Sequence, residues 1–148
     1  MHEALHFALK MQSESRGREE APQTTTRGRG VLEARPPRLL QMMLSKQPGG
    51  AETLFEKLAA ACAAAGLPQC LVIEPNPERE ALLRDLEGVT VVALRFGGAR
   101  DPFAKRKLRQ VAAAHLPDAV LTWMNRASRR APRVPCPVIG RLGGYYKL

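Results

Sequence analysis

The chain has 148 residues, enough for one domain with a buried core, and 45% hydrophobic with 25% charged residues matches a soluble globular protein, not a disordered or fibrous one. A net charge of +9 excludes a generally acidic surface and leaves nucleic acid, anionic lipid or a phosphorylated substrate as partner classes. Without an apolar stretch near the roughly 18 to 20 residues of a membrane span or a cleavable leader, and with three widely spaced cysteines (Cys62, Cys70, Cys136), the sequence reads as cytosolic, reduced and free of a CxxC metal pair.

Residues 1–37 read as a disordered extension. Met1 to Met11 offers a short helix through Leu5, Phe7, Ala8 and Leu9, but Gln12 to Pro37 is polar, with Gly28, Gly30, Pro36 and Pro37. The basic Arg27 to Gly30 piece has two readings, a nucleic-acid tail or, as two arginines among balanced charge, solvated linker.

The chain is organised around Arg38 to Gly66. An apolar run (Leu39, Leu40, Met42, Met43, Leu44) predicts a buried strand, followed by Ser45-Lys46-Gln47-Pro48-Gly49-Gly50 and a helix opening at Ala51-Glu52. Two readings of the glycine pair stand. It makes a tight strand-to-helix connection, or it lets a phosphate approach the unpaired N–H groups and positive dipole end of the helix. Along that helix Ala51, Leu54, Phe55, Leu58, Cys62 and Ala65 form one apolar face, and Gly66 stops it.

Cys70 to Ile73 predicts a second strand, ended by Glu74-Pro75-Asn76-Pro77, and Glu78 to Leu86 a short helix with Ala81, Leu82 and Leu86 inward. Val89 to Leu94 predicts a third strand. Asp101-Pro102 reads as an N-cap with proline at the first helical position, leading into Phe103 to His115, where Ala104, Leu108, Val111, Ala112 and His115 share a face. His115, at the helix end, reads as a dipole-compensating or cap residue before a catalyst. Ala119 to Thr122 is a fourth strand, Arg126 to Ala131 a helical turn, and Val138-Ile139 the start of a fifth strand.

Strands apolar on both faces, separated by amphipathic helices, predict an α/β, Rossmann-like parallel sheet with helices on both faces. Ligands bind such sheets at the carboxyl ends of the strands, which gathers Ser45 to Glu52, Glu74 to Asn76, Arg95 to Asp101 and Trp123 to Arg130 at one edge. The charge gathers too. Arg95 to Arg133 carries ten basic residues against Asp101 and Asp118.

Three pieces in order carry a family resemblance: a first strand followed by PGGAE, a fourth strand running into PDAVLTWMNRASR, and a fifth followed by GRLGGYY. Together they resemble the N-terminal domain of GT-B fold, group 1 (family 4) glycosyltransferases, nearest in likeness to bacterial enzymes of lipopolysaccharide core assembly. The resemblance covers residues 38–148 and leaves 1–37 unexplained. It implies transfer of a hexose, with retention, from a nucleotide sugar to a lipid-linked or lipopolysaccharide acceptor, without metal or other cofactor. Gly49, Gly50 and Glu52 match the family's donor-phosphate loop, Glu52 either contacting ligand or stabilising the first helical turn. Asn125 and Arg126 match positions lining the cleft between the family's two domains, the alternative for Arg126 being a surface salt bridge. Arg141, Gly143 and Gly144 match a motif that lines the cleft or is structural.

The family's second domain, with its glutamate pair and most of the donor site, is not in this sequence. The resemblance therefore implies no catalytic residue here and an inactive chain by itself. Lys105, Arg106, Lys107 and Arg109 then read either as a face resting on the inner leaflet of the bacterial plasma membrane or as a solvated helix surface. Two other functions stay open. A nucleotide- or nicotinamide-binding Rossmann domain would use Glu74 for the ribose, although PGG is not GxGxxG; a nucleic-acid-binding module has the charge but only Phe96, Phe103 and Trp123 for stacking.

Overall fold

The computed structural model describes residues 35–98 and 101–141, so the expectation for residues 1–34 lies outside them. Among the described residues five strands alternate with four helices: β1 (Leu39–Met43), α1 (Gly50–Ala64), β2 (Gln69–Ile73), α2 (Pro77–Arg84), β3 (Val89–Ala93), α3 (Pro102–His115), β4 (Ala119–Trp123), α4 (Met124–Ser128) and β5 (Val138–Arg141). They form one parallel sheet in the order β3-β2-β1-β4-β5. This is the Rossmann-like arrangement that the uninterrupted apolar strands predict.

Period-two alternation sends each strand to both faces. Leu40 and Met42 of β1 join Cys70, Val72 and Val120 beneath Ala104, Leu108 and Ala112 of α3. Met43 joins Leu71, Ile73 and Trp123 beneath Phe55 and Ala59 of α1 and Leu83 of α2. Residues of odd number on the second face also carry a polar chain. Trp123 Nε1–H donates to Gln41 Oε1 at 3.1 Å, Gln41 Nε2 to Gln69 Oε1 at 2.8 Å, and Gln69 Nε2 to the Ala59 carbonyl at 2.9 Å. Each buried amide is thereby paired, and β4, β1, β2 and α1 are tied together.

The helix ends follow the local chemistry. Gly66, at φ +72°, closes α1 in a Schellman turn, its N–H bonding Ala63 and that of Leu67 bonding Cys62. Asn76 caps α2 by accepting from the Arg79 N–H, and Asp101 caps α3 by accepting from Phe103 and Ala104.

Two helical faces differ from expectation. In α1 the buried residues are Glu52, Phe55 and Ala59, while Leu54 is 39% exposed and Ala65 exposed. Alanines surround this helix, so apolarity leaves its rotation loosely defined; Phe55, packed edge-to-face on Trp123 with ring centroids 5.7 Å apart, defines it. In α2 the inward residues are Arg79 and Leu83, with Leu82 53% exposed. The Arg79 side chain takes that position because Glu56 and the Ser45 carbonyl accept its hydrogen bonds.

Candidate functional site

β1 and β4 are neighbours at the middle of the sheet, and the chain leaves β2 and β4 toward opposite edges, so the crevice beyond their carboxyl ends is the topological switch point. Gly49 ends the loop after β1. It caps α1 in an extended conformation open to any residue (φ −172°, ψ 177°), and its carbonyl accepts from both Thr53 N and Thr53 Oγ1 at 3.0 Å. A Cβ there would lie 2.7 Å from Glu52 Oε2, so a larger residue would displace the end of that carboxylate side chain. Glu52 is the third helical residue, from which a carboxylate folds back to the cap, and it is 6% exposed. The first turn of α1 thus already holds a negative charge against its dipole. Gly50 has open space where a Cβ would stand.

Glu74, the residue after β2, is 1% exposed. Lys46 Nζ lies 3.6 Å from its Oε2, and Arg126 Nη2 lies 2.7 Å from its Oε1. The second approach is off the hydrogen-bonding direction, so among the described residues Oε1 is a buried acceptor with an ionic neighbour and no hydrogen bond. Arg126 also donates weakly to the Leu44 carbonyl at 3.5 Å and the Phe96 carbonyl at 3.4 Å, which places its guanidinium across the ends of β1, β2 and β3. The ribose-binding role considered for Glu74 needs an accessible carboxylate; this one faces two cations.

Other basic residues tie the same loops. Arg130 donates to the carbonyls of Gly97 and Gly98 and stands 5.2 Å over the Phe96 ring. Arg79 joins α2 to the first loop through Ser45. Asp101 accepts from the Gly97 N–H as well as from its own helix, and these backbone donors, that of Ala104 foremost, hold its carboxyl below the usual range.

The other sequence-predicted residues divide. Asn125 is exposed in the first turn of α4. Met124, before it, has φ +66°, the left-handed region that a side chain seldom adopts, because β4 passes into α4 without a loop. Arg141 ends β5 with its guanidinium 4.9 Å from the Trp123 ring centre, so it joins Arg126 at the carboxyl edge; Gly143 and Gly144 lie outside the described residues. Lys105, Arg106, Lys107 and Arg109 are exposed on α3, beside Phe103 at 83% exposure. His115 is at the opposite edge. Its Nε2–H donates to the Leu39 carbonyl at 3.0 Å, and burial draws its pKa down.

Sequence reasoning named Arg126, and Glu74 as a candidate ribose-binding acid, but not the pairing of Glu74 with Lys46 and Arg126. The signal was an acid directly after a wholly apolar strand, CLVIE, and a lysine in the loop of the neighbouring strand. Among the described residues no group of three or more His, Cys, Asp or Glu side chains is arranged to hold a metal ion, and no helix is long and apolar enough to cross a membrane. What the edge offers is positive charge on loops joined by hydrogen bonds, a setting for anions.

No protein family matches the sequence, and no curated protein matches it. Among solved structures, the chain is similar to a glycosyltransferase from Rickettsia africae ESF-5, with a TM-score of 0.59 and 13% identity over 78% of this chain. The likeness is one of fold, and this chain spans 32% of the length of that structure.

Proposed function

We propose that the chain is the N-terminal, Rossmann-like half of a GT-B glycosyltransferase of the group 1 (family 4) kind, working with retention from a nucleotide sugar on a lipid-linked or lipopolysaccharide acceptor. The observation that carries this reading is the fold likeness to the Rickettsia glycosyltransferase, joined to a PGGAE turn at the switch point of a β3-β2-β1-β4-β5 sheet. Gly50, with open space where a Cβ would stand, leaves the first loop room on the side of the donor diphosphate. Asn125, Arg126 and Arg141 line the cleft side of the sheet edge, where positive charge and backbone donors stabilise a leaving diphosphate.

The basic surface supports a location. Lys105, Arg106, Lys107, Arg109 and the exposed Phe103 form a cationic helix face with one aromatic, suited to an anionic lipid surface at the cytoplasmic side of a bacterial plasma membrane. Co-sedimentation with vesicles should rise with their anionic lipid content and fall when these four cations are replaced by glutamine.

The main test is translation, in all frames, of the DNA that follows the Leu148 codon, then assay of the joined protein with nucleotide sugars and lipopolysaccharide-core acceptors. The expected result is a second Rossmann-like domain with two glutamates separated by seven residues, hexose transfer by the joined protein and none by the 148-residue chain. Unrelated sequence, or turnover by the chain alone, overturns the reading.

A further inference from the structure

The first turn of α1 is occupied by its own carboxylate, so the positive charge available to a ligand lies elsewhere at the switch point. Lys46 is 60% and Arg126 47% exposed along their side chains, yet both are held by the Glu74 carboxylate, which is 2% exposed and bound to a different cation through each oxygen. We propose that Lys46 and Arg126 form an oxyanion subsite for the diphosphate of a nucleotide-sugar donor, and that Glu74 is its positioning residue. The inference rests on the glycosyltransferase reading for the identity of the ligand.

Charge, geometry and placement agree. Two cations against one carboxylate leave a net positive charge, and the carboxylate lies behind them, away from solvent. A buried carboxylate is costly unless it is paired, so both cations are drawn to it and lose the freedom that exposed Lys and Arg side chains otherwise keep. Lys46 comes from the loop after β1 and Arg126 from the helix after β4, the two strands that flank the switch-point crevice. The hydrogen bonds of Arg126 to Leu44 and Phe96 are long, 3.5 and 3.4 Å, which leaves its donors able to turn to a stronger acceptor such as a phosphate oxygen.

The test measures binding of inorganic pyrophosphate to the full 148-residue chain by calorimetry at low salt. Lys46→Gln and Arg126→Gln, at exposed side chains, should each weaken binding about tenfold or more, as loss of a charged donor does. Glu74→Gln decides the positioning role, because the two explanations differ in sign. If Glu74 contributed only its negative charge, its removal would strengthen the binding of an anion. If it positions the cations, binding weakens about fivefold or more, and the Glu74→Gln/Arg126→Gln double variant falls little below Arg126→Gln alone.

Far-UV circular dichroism and the urea midpoint establish that each variant is folded, and Glu74→Asp serves where Glu74→Gln is not. No pyrophosphate binding by the wild-type chain, or unchanged affinity in Lys46→Gln and Arg126→Gln, overturns the subsite. Equal or tighter binding by Glu74→Gln overturns the positioning role. Pyrophosphate binding that depends on all three residues, with no transfer by the joined protein, would sink the glycosyltransferase reading and leave the subsite standing.

Discussion

Gln41 sits in the middle of an apolar strand and is fully buried, a position that hydropathy alone assigns to leucine. Its amide links Trp123 to Gln69, and in its absence the Trp123 Nε1–H and the Gln69 Oε1 would be left unpaired. Gln41→Leu is therefore expected to lower stability by about 1 to 3 kcal/mol in spite of its greater hydrophobicity, as read by urea denaturation. A neighbouring residue shows burial acting on reactivity. The Cys70 thiol is pushed up to about 11 by desolvation, so very little thiolate is present at pH 8. Iodoacetamide at that pH should leave Cys70 unmodified in the native chain and label it after unfolding, with mass spectrometry as the readout.

Among the elements, α2 makes the difference between pattern and packing visible. Leu82 and Leu83 are adjacent and chemically identical, and only the direction of the helix distinguishes them. Leu83 is fully buried on the α1 side of the sheet, and Leu82 is 53% exposed. Leu83→Ala should cost about 2 to 5 kcal/mol, while Leu82→Ala should stay within about 0.5 kcal/mol, both from denaturation midpoints. The cap of the same helix is a local contact, Asn76 ahead of Pro77 accepting from the Arg79 N–H, and Asn76→Ala is expected to cost about 1 kcal/mol. The face was not legible because the helix is short and its inward residues include Arg79, whose burial depends on Glu56 from another helix.

At the scale of the molecule, the entry to β1 is held by charge. Asp118 accepts from Arg35 and from the Arg38 backbone N–H, and these donors, the Arg35 side chain first, hold its carboxyl at about 2. A folded-state pKa below the ordinary 3.8 means that the unfolded chain binds the proton more readily. The stabilisation is present above about pH 4 and is lost as pH falls toward 2. His115, drawn below its ordinary 6.5 chiefly by burial, acts in the same direction, stability declining as pH drops beneath that value. Asp118→Asn should flatten the pH dependence of the urea midpoint between pH 4 and 2, and His115→Gln the part just below pH 6.5.

The α/β class, the order of elements and the edge that carries the loops were determined by the sequence itself. Uninterrupted apolar runs bounded by Gly66, Asn76-Pro77 and Asp101-Pro102 state strand and helix limits through local chemistry that needs no partner. The rotation of α1 and α2, the amide chain through Gln41 and Gln69, and the hold of Glu74 on Lys46 and Arg126 were decided only in three dimensions. Lys46, Glu74 and Arg126 stand 28 and 52 residues apart along the chain, and parallel pairing of β1 with β2 and β4 is what brings them together. A carboxylate next to a strand is polar in any sequence; its burial between two cations is a property of the sheet order.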